Sequence, residues 1–177
     1  MNTPLVAVRD GALGKGVYAL RTFRLGERIL MFEGPELTQE EVLGLGEASS
    51  YALQVAPDRY IEPMSPGRYV NSSCDPNAGI WQDRYLIAVR PIAEGDQIQF
   101  DYSTAIGRNH RTMQCRCGST KCRGVISDFH RLPVPLQVHY LRLGIVPQFI
   151  VRECQRRIRG ETPISRAPRE LRSRRAV

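Results

Sequence analysis

The sequence predicts a mainly β, α+β domain followed by short helices, and three observations carry that prediction. Short β-branched and aromatic runs recur between glycine turns through the first hundred positions. Gln97-Ile98-Gln99-Phe100 alternates polar and apolar, as a half-buried strand does. After Gly124 the chain changes to longer apolar stretches interrupted by Gly144 and Pro147, which read as two helices.

The elements follow in order. Leu5-Val6-Ala7-Val8 and Gly16-Val17-Tyr18-Ala19-Leu20 are the first strands. Arg24-Leu25-Gly26-Glu27 turns the chain into a third, Arg28-Ile29-Leu30-Met31-Phe32. Thr38 and Glu41 stand at capping-box spacing, so a short helix opens there and stops at Gly44 and Gly46. Arg59–Glu62 and Arg84–Val89 are further strands, and Gly95-Asp96 turns into Gln97–Phe100. Residues 135–143 and 147–154 are the two helices. Prolines 163 and 168 among dense arginines argue for disorder at the end.

With 42% hydrophobic residues in 177, the chain can bury one core. No apolar run reaches the length of a membrane span, and no charged-then-apolar leader opens the chain, so a cytoplasmic protein is expected. Its five cysteines are then expected as reduced thiols. Charge is uneven: residues 152–177 hold nine arginines against three glutamates, nearly all of the formal net charge of +7. Such an arm either meets nucleic acid or an acidic partner, or is a solvated end.

Cys115-Arg116-Cys117 followed by Cys122 sets three soft sulfurs close together, with Gly118 for the turn. That suits a tetrahedral zinc site lacking one ligand. Cys74 is available as the fourth; His110, His130 and His139 are rivals. Cys154 is left over.

Three signatures stand in one order: Arg68-Tyr69-Val70-Asn71-Ser72-Ser73-Cys74-Asp75-Pro76-Asn77, then Gln99-Phe100-Asp101-Tyr102, then the cysteine segment closing on Cys122-Arg123-Gly124. With Gly14-Lys15-Gly16-Val17-Tyr18-Ala19 and Ala88–Asp96, they resemble the SET-domain protein lysine methyltransferases that carry a post-SET zinc motif. The resemblance spans roughly residues 4–130. It implies a fold of several small sheets with a knot-like C-terminal threading. It implies methyl transfer from S-adenosylmethionine to a lysine side chain of a protein or peptide, with a structural zinc.

The resemblance also assigns residues. Tyr102 matches the catalytic tyrosine. Lys15, Gly16, Tyr18, Arg68, Asn71, Ser72 and Val125 match positions that meet the methyl donor. Phe100 and Tyr51 are candidates for the lysine channel; for Tyr51 core packing competes. Phe100 holds the position where the family chooses between phenylalanine and tyrosine, and phenylalanine leaves room for a second or third methyl. The family pattern favours Cys74 with Cys115, Cys117 and Cys122 around zinc. Ser72 departs from the family, which has histidine there. The competing reading of Arg68 is a surface arginine paired with an acid such as Asp75.

The expected organisation is a SET domain over 1–112, a zinc segment over 113–126, a helical extension over 127–160 and a basic, disordered tail over 161–177. A different-class alternative is a non-catalytic module that binds a peptide or nucleic acid through that tail.

Overall fold

A computed structural model describes residues 4–107 and 112–161. Most of the expected basic tail, and the rival ligand His110, lie outside the described residues.

Among the described residues, four small sheets make up the body. Strands β1 (Val6–Gly11) and β2 (Gly14–Ala19) form an antiparallel hairpin, with Gly14 at φ 87° in its turn. Strand β10 (Gln97–Phe100) pairs antiparallel with β2 on one side and parallel with β7 (Asn71–Ser72) on the other. Strands β3 (Arg28–Met31), β9 (Tyr85–Ala88) and β8 (Ala78–Trp81) form a second sheet in that order. Strands β4 (Glu36–Thr38), β6 (Arg59–Ile61) and β5 (Leu53–Ala56) form a third. A two-stranded ribbon joins β11 (Met113–Gln114) to β12 (Val125–Ile126).

The capping box forms as its spacing predicts. Thr38 Oγ1 accepts from the Glu41 amide, and Glu41 Oε2 accepts from the Thr38 amide at 2.7 Å. Helix α1 (Gln39–Gly44) thereby satisfies its first free N–H groups and ends where glycine was expected to end it.

Val17, Ala19, Phe23, Ile80, Leu86, Ala88, Ile92 and Ile98 pack into one fully buried core between the sheets. A second core lies under the C-terminal helices α2 (Val134–Arg142) and α3 (Gln148–Ile158), around Phe129, Tyr140, Ile145 and Ile150. Gly144 at φ 67° ends α2, and Pro147 sits at the N-cap of α3, the two breaks read from sequence.

Two contacts fasten these helices to the second sheet. The Gln148 amide donates to Asp83 Oδ1 at 2.7 Å, from the left-handed Gln82-Asp83 turn between β8 and β9. Gly79, in the middle of β8, leaves room for Ile145: a Cβ built on it would lie 2.6–2.7 Å from three Ile145 carbons.

Candidate active site

The parallel pairing of β7 with β10 sets Ser72 beside Phe100 and Asn71 beside Gln99. Asp101 then caps a 3-10 turn over Tyr102–Thr104, its Oδ1 accepting from the Ser103 amide at 3.0 Å. Tyr102 is held at both ends. Its hydroxyl donates to the Val70 carbonyl at 2.7 Å, and its amide donates to Ser72 Oγ at 3.2 Å. Its ring lies 4.9 Å from that of Phe100, which meets Phe32 edge-on at 5.9 Å. Burial, with the Tyr51 phenol nearby, pushes the Tyr102 phenol above the ordinary tyrosine range. It is therefore protonated at neutral pH and acts as a donor.

A cavity of about 290 Å³ opens onto this tyrosine, with Phe32, Val70, Phe100, Tyr51 and Arg68 in its walls. Core packing is not the role of Tyr51: the residue is 48% exposed at the cavity wall. The Arg68 guanidinium stacks on the Tyr51 ring at 4.4 Å and pairs with Glu62 at 3.0 Å. Its acid is Glu62, while Asp75 takes Lys121 at 3.0 Å.

The other expected donor-side residues gather on the four-stranded sheet. Asn71 Nδ2 donates to the Lys15 carbonyl at 3.0 Å, joining two segments that lie 56 residues apart. The Lys15 ammonium meets Asp10 at 3.6 Å on the surface. Gly16 admits a neighbour: a Cβ there would fall 2.3 Å from Gln97 Nε2. The Tyr18 ring lies on that same face of β2, close to Gly16 and Gly11. Val125 stands apart on the two-stranded ribbon and is 48% exposed.

The four sulfurs of Cys74, Cys115, Cys117 and Cys122 lie within 4.8 Å of one another, and Cys74 and Cys115 are 3.7 Å apart. Zinc–sulfur bonds of about 2.3 Å in a tetrahedron require sulfurs about 3.8 Å apart, so the donor set fits. Burial raises the Cys115 thiol to about 12. Burial opposes ionisation of Cys117 too, yet backbone donors from Cys74 and Ser119 bring it down to about 6. His130 is engaged by Glu153 at 2.8 Å and His139 is exposed on α2; neither joins the cluster.

Sequence reasoning missed the groups behind Tyr102. The Asp101 side chain is fully buried, and both its oxygens face Arg123, at 2.7 and 2.8 Å. Tyr140 of α2 donates to the same carboxylate at 3.0 Å. The Arg123 amide donates to Cys74 Sγ at 3.4 Å. Asp101 and Arg123 were visible as motif residues without a role. Tyr140 carried only the signal of a large residue on the inward face of a helix. Asn77 also had no role, yet it accepts from the Gln99 amide at 2.9 Å and donates to the Gln97 carbonyl at 2.8 Å, holding β10 in place.

The chain is 29% identical over 139 residues to the histone-lysine N-methyltransferase ash1 of Drosophila melanogaster, covering 70% of this chain and 6% of that protein. It is 28% identical over 134 residues to an H3 lysine-4 specific histone-lysine N-methyltransferase of Cryptococcus neoformans, covering 66% of this chain and 9% of that one. The chain thus spans less than a tenth of the length of either relative. Its fold resembles that of KRYPTONITE, solved in complex with mCHG DNA and SAH. The TM-score is 0.57 and the identity 21%, over 69% of this chain and 29% of that one. The SET domain model matches residues 14–103, the stretch that runs from the Lys15 strand to the Tyr102 turn. With that match spanning half of the sequence, and the thiol cluster closing behind it, the chain belongs to the SET-domain family.

Proposed function

We propose that this protein transfers a methyl group from S-adenosylmethionine to the side-chain amine of a lysine in a protein or peptide. The observation that carries the reading is Tyr102. Its protonated hydroxyl stands beside the Val70 carbonyl, facing a cavity walled by Phe32 and Phe100. When bound, S-adenosylmethionine supplies an electrophilic methyl group on a cationic sulfur.

The chain's own residues supply the rest. A free lysine amine has a pKa near ~10.4, and it must shed a proton before it can attack. Apolar walls disfavour the ammonium form. The Tyr102 oxygen and the Val70 carbonyl are acceptors that orient the neutral amine, so its lone pair points in line with the bond to be broken. Arg68, Asn71, Ser72, Lys15, Gly16, Tyr18 and Val125 are assigned to the donor side, and Tyr51 with Phe100 to the channel. The relatives' names as histone-lysine N-methyltransferases support the substrate class. Phe100 lacks the hydroxyl that would crowd a methylated amine, which favours products beyond the first methyl.

Cys74, Cys115, Cys117 and Cys122 hold a structural zinc, on the strength of their mutual spacing. Residues 1–112 form the transferring body, 113–126 the zinc segment, 127–160 a helical extension and 161–177 a basic tail. Among the described residues, no helix is long and apolar enough to cross a membrane.

Tritium transfer from labelled S-adenosylmethionine onto a lysine-peptide array, with calorimetry of donor binding, tests the reading. Incorporation that disappears when the target lysine becomes arginine is the expected result. Donor binding without incorporation on any peptide would instead make the chain a non-catalytic module.

A further inference from the structure

The carboxylate one residue before Tyr102 has partners from three separate parts of the chain. Asp101 itself belongs to the turn that carries Tyr102. Arg123 belongs to the cysteine segment, and its own amide supports Cys74 Sγ. Tyr140 belongs to α2, whose ring is 2% exposed in the second core. The hydroxyl of Tyr140 donates to Asp101 Oδ2 at 3.0 Å, and burial keeps that phenol protonated.

The carboxylate can accept several hydrogen bonds, and each fixes one direction. Arg123 pulls it toward the thiol cluster from one side. The Ser103 amide fixes Oδ1 along the turn at 3.0 Å, and Tyr140 fixes Oδ2 from the helical side. Arg123 also reaches Ser103 Oγ at 3.3 Å, as does the Ser127 amide at 3.3 Å, so the turn, the zinc segment and the approach to the helices share one buried polar network. In such networks, removing one member loosens the others.

The geometry points to Tyr140 as a positioning residue: through Asp101 it sets the orientation of Tyr102 and the seating of the cysteine segment, which makes the helical extension a working part of the reacting centre. The inference rests on the reading of Tyr102 given above. It deepens that reading by assigning a task to residues 127–160.

The test is Tyr140→Phe, which removes one oxygen and keeps the packed ring, compared with Ile150→Val from the same core. Ile150 is fully buried in that core. Both variants are made in a Cys154→Ser background. Two readouts are taken at a temperature where all the proteins are folded. The first is kcat and KM for tritium transfer to the array's best peptide. The second is the rate at which the cluster thiols react with dithionitrobenzoate, which needs no turnover.

For Tyr140→Phe, kcat should fall about three- to tenfold with both KM values held within about twofold, and thiol labelling should speed up. Ile150→Val should lower the melting temperature alone. Wild-type thiol reactivity in Tyr140→Phe overturns the inference, and so do equal changes in Ile150→Val. If the parent protein transfers no methyl to any peptide while Tyr140→Phe still speeds thiol labelling, the methyl-transfer reading fails and the coupling stands.

Discussion

Replacing Gly79 by alanine tests whether the helical extension is truly seated on the body. Two effects oppose each other. A glycine in mid-strand costs roughly 0.5–1 kcal/mol relative to alanine, so on an open sheet the change would stabilise. Here the new methyl would lie 2.6 Å from Ile145 Cβ and 2.7 Å from Cδ1 and Cγ2. Cβ is fixed to the backbone and cannot swing aside. Ile145 is 1% exposed, so the whole side chain has nowhere to go. Overpacking of this kind costs about 1–3 kcal/mol. With three contacts at 2.6–2.7 Å the cost lies in the upper half of that range, about 2–3 kcal/mol, so the clash wins and the net loss is about 1–2.5 kcal/mol. At about 2–4 °C per kcal/mol for a chain of this size, the melting temperature should drop by about 2–10 °C. Thermal melts of Gly79→Ala, Ile145→Ala and the double variant form the assay. The two single changes should not add: the double variant should be less destabilised than their sum by about 1 kcal/mol. An unchanged or raised melting point for Gly79→Ala, or strict additivity, would show that α2 and α3 do not rest on β8 as described.

Further outcomes are expected at the site itself. Tyr102→Phe should lower turnover by about two orders of magnitude or more, the scale on which one reacting-centre donor acts, while calorimetry finds donor affinity nearly intact; wild-type turnover would remove Tyr102 from its role. Ser72→Ala frees the Tyr102 amide and should lower kcat; Ser72→His should tighten donor binding if the imidazole supports the pocket and change little if main-chain groups carry the contact, and a large loss of donor binding would mean that the pocket is built around the smaller residue. Cys117→Ser should lower zinc content by elemental analysis, together with melting temperature and donor affinity, while Cys154→Ser changes none of them. Protein purified without chelator that carries no zinc would break the link between the cluster and the pocket.

Much of the fold was legible because its signals are local. The Thr38–Glu41 box, the alternation of Gln97–Phe100 and the break at Gly144-Pro147 each depend on residues a few positions apart, and each is found where its pattern lies. What stayed hidden is set by distant partners. Ala78–Trp81 reads weakly as a strand because Gly79 interrupts it, and that glycine is there for Ile145. Asn71-Ser72 is too short to announce itself, and becomes a strand only beside Gln99-Phe100. Leu53–Ala56 was passed over in a stretch with little pattern, and it pairs with β6 through a bulge. At the site, the motif residues Tyr102 and the four cysteines lie at the cavity wall and in one thiol cluster. The Asp101–Arg123–Tyr140 network was invisible because its members come from three segments with no common motif. The competing reading of Arg68 paired it with Asp75 for its nearness in sequence, when the fold offers Glu62.

The thiol cluster is divided one against three, and that division bears on the order in which the chain comes together. Cys115, Cys117 and Cys122 lie within eight positions and can meet at a smaller loss of chain freedom, about 2.5 kcal/mol for a loop that short. Cys74 must be brought back across 41 residues, a loop that contains β8, β9, β10 and the Tyr102 turn. Closing a loop of that length removes about 4 kcal/mol of entropy from the unfolded ensemble. A cross-link at this point therefore acts mainly on the unfolded chain, by keeping β7 near the partner strand it must find in parallel. Parallel pairings between distant strands are the slow step of many β-rich chains. Three local thiols that bind first and capture the fourth afterwards would spare this chain part of that search.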